Sequence, residues 1–377
     1  MISHTRPSFA RPLALCLLLV LSFGAGCIED DRTIDSSSYN NDVFVIDDDT
    51  NSSTQADLSV TIPREDTPDV RLYSQLAHII GKSEGFDLSP IELTNQRNTP
   101  RNLRISMTLQ GYSTTINQDV QLGVSETKEV TMTPVMDLEK IYALTSEVRS
   151  NIEVVVYENN APIVTLNQSI VIQPINRFTW FVTDTKGELL ADLRAFVLTM
   201  AIPNDRDGAV AQLISEAAMY MPDGNIPTPE STGEDWSILI ANAIYNALQA
   251  RQLFYSNITG SFFDGAQYVR LPSESLRAGG ANCIDGSLLF ISALEAVGVP
   301  TSIIFVEGHA FMGFYRHTDP DGTIFPIETT VVRDASFEDG VGYGVDILKY
   351  AQDNKDPYLA VAKTRRARAA GIIPMSL

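Results

Sequence analysis

A thiol, an imidazole and a carboxylate stand in chain order within one stretch of this 377-residue sequence: Cys283, His309 and Glu328. Cys283 follows Gly279-Gly280-Ala281-Asn282 and precedes an apolar run from Ser287 to Val297 that stops at Gly298, with Pro300 beyond. Such a stop marks a helix end, so the spacing predicts Cys283 at or near the N-terminus of a buried helix. Unpaired backbone N–H groups and the positive end of the helix dipole stabilise a thiolate at that position. The glycines ahead of it let the backbone turn sharply and come close. Thr301 to Val306 reads as a buried strand, followed by Gly308-His309-Ala310-Phe311. Asp319-Pro320-Asp321-Gly322 then closes a hairpin. The return segment, Ile324 to Thr330, carries Glu328 as one acid among apolar neighbours. A nucleophile at a helix start, a base on the next strand and an orienter on the one after are the parts of acyl-transfer chemistry. The imidazole takes the thiol proton and later gives it to the leaving group, while the carboxylate fixes the tautomer and stabilises the imidazolium.

Two other readings of these residues stay open at this level. A free Cys is often a small buried hydrophobe. The three side chains are also of types that bind zinc. They lack the short paired spacing of common zinc sites and no second Cys stands near, so no metal is expected. Thiol acyl transfer needs no cofactor, and none is implied.

The elements that must hold these groups divide in two. Between residues 58 and 178 the apolar period is two. Leu103, Ile105, Met107 and Leu109 alternate with polar residues, as do Ile152, Val154 and Val156. Glu158-Asn159-Asn160-Ala161 makes a turn, and the chain returns from Ile163 to Ile172. This pattern predicts an antiparallel β-sandwich. It carries no cluster that implies chemistry; His78, among Leu76, Ile79 and Ile80, reads as a structural or surface residue. Beyond Trp180 the period is helical, first at Leu189, Leu190, Leu193, Phe196 and Val197. It recurs at Trp236, Leu239, Ile240, Ala243, Ile244, Ala247 and Leu248, with Thr232 as a start signal. His317 and Asp319 read as a solvated hairpin-tip pair, and Lys363 to Arg368 as the solvated face of a helical run ended by Gly371.

At the other end, Arg6 and Arg11 precede an apolar run from Leu13 to Leu21 and then Gly24-Ala25-Gly26-Cys27. A basic start, a short apolar core and small residues before a cut mark a secretory signal over residues 1–26. The run falls short of the roughly 20 residues that span a bilayer. Small residues ending at a Cys resemble the lipobox of bacterial lipoproteins, with Gly24 where Leu is usual. That resemblance implies cleavage before Cys27, a lipid on Cys27 as membrane anchor and export to the bacterial cell envelope. Ile28 after the Cys implies the outer membrane. An ordinary cleaved signal with a chance Cys is the alternative. With Cys16 removed and Cys27 lipidated, Cys283 is the one free thiol. Residues 28–57 hold nine acids and one Arg, which makes residues 27–57 a flexible tether. The chain has 47 acidic and 27 basic side chains, a net charge of −20 that cleavage deepens to −22. That balance excludes nucleic-acid partners and charge-driven adhesion to an anionic membrane. An apolar content of 44% supports real cores, and the length suits two domains.

Asn282-Cys283-Ile284-Asp285, Gly308-His309-Ala310-Phe311 and Ile327-Glu328-Thr329-Thr330 resemble the core of the transglutaminase-like superfamily, especially its bacterial, cysteine-peptidase-like branch. The resemblance covers residues 260–332 well and extends over 185–377. It implies an α+β papain-like domain there, following the sandwich. It implies Cys283, His309 and Glu328 as catalytic residues, with Asp285 fixing the helix start beside Asn282. Gln267 is the implied oxyanion donor, together with the Cys283 backbone N–H. Glu328 stands where many members have Asp, and only 26 positions separate Cys283 from His309. No calcium-site acid cluster of the animal enzymes is evident. The implied activity is acyl transfer or hydrolysis at a peptide or carboxamide carbonyl of a protein or peptide substrate. The alternative is a surface module that binds peptides without turning them over.

Overall fold

The alternating residues of the first half pair into two sheets in the computed structural model, which describes residues 51–55, 57–62, 70–82, 90–183, 189–227, 236–256 and 266–376. The signal segment, Cys27 and Thr232 lie outside the described residues. The strands here are β1 (Asn51–Gln55), β2 (Leu58–Ile62), β3 (Val70–Leu72), β4 (Pro90–Asn95), β5 (Arg101–Leu109), β6 (Ile116–Leu122), β7 (Thr127–Thr131), β8 (Val148–Glu158) and β9 (Ala161–Ile172). One sheet has the order β1-β2-β4-β7, the other β3-β9-β8-β5-β6. Leu103, Ile105, Met107, Ile152, Val154 and Val156 point inward and join Leu58, Val60, Ile91 and Leu93 of the other sheet in one core. Asn159 and Asn160, at φ 52 and 64, turn β8 into β9 with the paired positive φ that a tight hairpin requires.

Two details depart from the sequence reading. Strand β3 joins β9 in parallel, so the sheets are not wholly antiparallel. Asn51–Gln55, read as the end of the tether, pairs antiparallel with β2. An edge strand is held by backbone ladder bonds, which a polar Asn-Ser-Ser-Thr-Gln run supplies without apolar side chains.

Helix α1 (Ser74–Lys82) lies between this half and the second, buried from Ser74 to Ile80. Gln75 Nε2 donates to Ile175 O at 2.6 Å and reaches Met200 Sδ at 3.5 Å. His78 is fully buried: Nδ1 bonds to the hydroxyl of Tyr142, on α2 (Leu138–Tyr142), and Nε2 bonds to Ile373 O at 3.0 Å near the chain's end. Burial, reinforced by Lys82 and Arg368, pulls its pKa down to about 4, so the ring is a neutral structural bridge.

The second half opens with β10 (Arg177–Thr179), β11 (Phe181–Thr183) and β12 (Leu189–Asp192). Leu189 and Leu190 therefore stand in a strand, paired to β11, and not in the helix their spacing predicts. Asp192 accepts from the Arg194 amide and guanidinium, and a 3-10 helix follows over Arg194–Met200, burying Phe196 and Val197. Then come α3 (Ala209–Ala217), α4 (Ser237–Ala250), β13 (Phe254–Tyr255), β14 (Ala266–Tyr268), α5 (Pro272–Ala278), β15 (Gly280–Ala281) and α6 (Cys283–Ala296). The Trp236 to Leu248 stripe is the face of α4, with Ile240, Ala243, Ile244, Ala247 and Leu248 buried. Strands β16 (Thr301–Val306), β17 (His309–Phe314), β18 (Phe325–Ile327) and β19 (Ala360–Lys363) form an antiparallel sheet in the order β18-β17-β16-β19. Helix α6 packs on β16 and β17, and α7 (Phe337–Asp353) on β18.

The last helix, α8 (Thr364–Ala369), carries Arg365 and Arg366 exposed, as a solvated face requires, but departs from that reading at Arg368. Arg368 donates to both Glu295 carboxylate oxygens at 2.8 Å and to Leu198 O and Ile372 O, which ties the chain's end to α6. His317 is exposed, and its backbone N–H donates to Ser237 Oγ at 2.8 Å. Among the described residues no helix is long and apolar enough to cross a membrane.

Gly344 is packed against backbone. A Cβ there would lie 2.8 Å from the Pro326 carbonyl carbon of β18, a backbone atom that cannot swing away. Gly344→Ala is expected to cost about 1–3 kcal/mol of stability, read by denaturant unfolding, because overpacking forces the helix off the strand. Helix α7 also accepts the Glu328 N–H at Gly340 O, so the same change moves the carboxylate discussed next.

Candidate active site

Cys283 is the first residue of α6, whose start is built by its neighbours. Asn282 caps the helix: its side-chain oxygen accepts from Asp285 N–H at 2.9 Å, and Asp285 Oδ2 accepts in return from Asn282 N–H at 3.2 Å. That reciprocal box satisfies two first-turn amides. It leaves the Cys283 N–H, one of the donors without an intrahelical acceptor, at the head of the helix. Asp285 is fully buried, and Oδ1 accepts from Arg270 N–H at 2.8 Å while the Arg270 guanidinium lies 3.5 Å from Oδ2. Burial pushes its carboxyl up to about 6 against these donors. Asp285 thus fixes both the helix start and the segment arriving from β14.

His309 is the first residue of β17, opposite Val306, across a two-residue turn in which Gly308 takes φ +67. A left-handed backbone there is cheap for glycine alone. Nε2 pairs with Glu328 Oε2 at 2.6 Å. The Cys283 thiol lies close enough to the imidazole to favour its charged form. Burial pulls the imidazole down, but Cys283 and the bond to Glu328 outweigh it and lift the pKa to about 10. Glu328, just past β18, is pushed up by burial. Its bonds to His309 and Thr330 win, and it sits below the ordinary carboxylate value. A buried group held charged by a specific partner, beside a nucleophile, is the signature of a reaction centre.

The three separated sequence positions therefore meet. The imidazole remains 25% exposed and is the open side of the group, beside a Cys283 that is 7% exposed. Gln267 lies on β14, and its Oε1 accepts from the buried Trp180 indole N–H at 3.2 Å. This bond uses the amide oxygen and leaves the nitrogen as its donor end. Among the described residues Gln267 makes no hydrogen bond to Cys283 or His309. Cys27 lies outside the described residues. No group of three or more His, Cys, Asp or Glu side chains is arranged to hold a metal ion among them.

Two residues of the site escaped the sequence reading. Arg270 binds Asp285 from a loop fifteen positions upstream, and nothing local announces that pairing. Thr330 is the other: its N–H and its hydroxyl both donate to Glu328 Oε1, at 2.8 and 2.6 Å. A Thr two positions after an acid is the local side-chain-to-backbone pattern that could have flagged it. Thr330→Val keeps the amide and loses the hydroxyl, a charge-assisted bond worth roughly 1.5–3 kcal/mol. The expected result is a Glu328 carboxyl that titrates higher than in wild type, read by NMR, because the lost bond is one of those that lower it.

A comparison of the chain with protein-family models and with curated proteins finds no match.

Proposed function

We propose that this chain is a thiol acyl-transfer enzyme of transglutaminase-like, papain-like design, acting on peptide or carboxamide bonds of proteins or peptides at the cell envelope. The observation that supports it is the His309–Glu328 pair beside Cys283 at the head of a buried helix. A helix-borne thiol facing an antiparallel sheet that carries base and acid suits the papain-like reading. Export and the lipid on Cys27 rest on the sequence alone.

The chemistry follows from the geometry. The Cys283 thiolate adds to the carbonyl carbon, forming the C–S bond and placing the charge on oxygen. The Cys283 N–H and the Gln267 amide are the donors we assign to that oxygen. As the carbonyl re-forms, the C–N bond breaks and the amine leaves with the His309 proton. Water or a second amine then gives its proton to His309, attacks the thioester and expels the thiolate. Water as acceptor makes the reaction hydrolysis, the outcome we favour; an amine makes it crosslinking.

The test is turnover of a denatured protein mixture, read by mass spectrometry for new chain ends and deamidated glutamines, with and without a fluorescent primary amine. Wild-type protein should give products and folded Cys283→Ala none. Equal products from Cys283→Ala would sink the reading. Tight peptide binding without any product would hand the assignment to a binding module.

A further inference from the structure

Resting on the thiol chemistry proposed above, we infer that Gly286 and Thr329 are positioning residues: their contact sets how closely the helix bearing Cys283 approaches the segment bearing Glu328. Gly286 is buried on α6 three residues after Cys283, so the two share a face of the helix. A Cβ at Gly286 would lie 2.9 Å from Thr329 Oγ1 and 3.3 Å from Thr329 Cβ. The next atom it would meet, Ala281 Cβ, stands at an ordinary 3.8 Å. The tight contact is thus with Thr329 alone. Turning that side chain to another rotamer moves Oγ1 but leaves Cβ where the backbone puts it.

Thr329 stands between Glu328 and Thr330. Glu328 pairs with His309, and Thr330 donates twice to Glu328 Oε1. The other side of this segment is held by α7. Glu328 N–H donates to Gly340 O at 2.9 Å, and the Pro326 carbonyl carbon lies against Gly344. Residues 326–330 are therefore pinched between two helices, and each helix presents a glycine at the contact. The segment cannot back away from α6 without disturbing its contacts with α7.

Thr329 is buried, and its hydroxyl makes no hydrogen bond among the described residues. What Thr329 supplies at this contact is width. A methyl added at Gly286 must open the contact by roughly 0.5–1 Å to reach ordinary van der Waals distance. Either α6 retreats and takes the sulfur with it, or the segment retreats and takes the carboxylate that holds the imidazole. A reacting constellation tolerates about half an ångström of such error.

The test is the pH profile of Cys283 alkylation by iodoacetamide, read on the Cys283 peptide by mass spectrometry. The sulfur displaces iodide at the methylene, so a C–S bond forms and iodide leaves with the C–I pair. Gly286→Ala should label about 10-fold more slowly than wild type at pH 6. The two rates should converge by about pH 9.5, where even an ordinary thiol is ionised. Adding Thr329→Ala removes Oγ1 and should bring the pH 6 rate back to within about 3-fold of wild type. Thr329→Val alone keeps the width and should keep the wild-type profile. An unshifted Gly286→Ala profile, slowing by one factor at both pH values, or a double variant no faster than Gly286→Ala would each overturn the inference. A slow Thr329→Val would assign the effect to the hydroxyl and overturn it as well. If Gly286→Ala does not fold, the double variant decides: folded with a near-wild-type profile it supports the inference, and any other result ends it. Wild-type labelling separates the two levels. Slow labelling at pH 6, indifferent to His309→Ala, defeats the catalytic reading; fast, His309-dependent labelling with an unshifted Gly286→Ala profile defeats this inference alone.

Discussion

At pH 6, His309→Ala is expected to slow alkylation of Cys283 by iodoacetamide about 100-fold and acyl transfer by roughly 10²–10⁴. An ordinary thiol titrating near 8.5 is only about 0.3% thiolate at that pH. In this site an imidazolium stands against the sulfur. His309 keeps its proton up to about 10, because Cys283 and the bond to Glu328 overcome the burial that would strip it. A loss much beyond the stated range would indicate misfolding. The pH dependence carries a sign. A histidine raised above its unfolded value stabilises the fold fully below about 6.5, and that contribution is lost as pH rises through about 10. Acyl transfer should decline over the same alkaline limb, since the leaving amine then finds no proton on the imidazole. Thermal melts run beside the rate profile separate the two effects. Equal alkylation of wild type and variant, or labelling only after denaturation, would show a buried structural thiol.

Much of this site was legible because its signals are local. Gly298 and Pro300 end α6 where the apolar run stops, and Asn282 with Asp285 three residues on is a capping signature. The Asn159-Asn160 pair announced its hairpin by the same logic. What failed was either degenerate or non-local. A short apolar run such as Leu189-Leu190 fits a strand as well as a helix, and pairing with β11 decides it. Arg368 reads as one more surface cation until Glu295, 73 positions earlier in the chain, is folded against it. Strand β1 carries no apolar pattern, since its ladder bonds are backbone bonds. The meeting of Arg270 with Asp285 depends on how β14 and α6 converge, which no window of sequence contains.

Glu328→Gln should cut acyl transfer by about 10²–10⁴ while leaving the protein folded. The carboxylate has two faces with donors on each: His309 at Oε2, the Thr330 amide and hydroxyl at Oε1. An amide of the same size must point its NH2 at one of them. Toward His309, two N–H donors collide and the ring takes the wrong tautomer. Toward Thr330, the imidazole keeps an acceptor but loses its charge. Either way a buried donor is left unsatisfied, at a cost of roughly 1–3 kcal/mol. The alkaline limb of the rate profile should also move to lower pH, because Glu328 is one of the two groups that raise His309. The stability difference has the opposite pH sense. Glu328 is held below its ordinary 4.5, so its contribution is present above that value and fades as pH falls through the lower folded one. Wild type and Glu328→Gln should therefore differ most near neutrality and converge in acid. Glu328→Asp supplies the test of reach. It restores the charge one methylene short, and the bonds to Thr330 hold the carboxylate back from the ring. Partial recovery of the alkaline limb without full recovery of rate is the expected result. A Glu328→Gln protein with an unshifted limb would mean that the carboxylate holds the strand and not the imidazole.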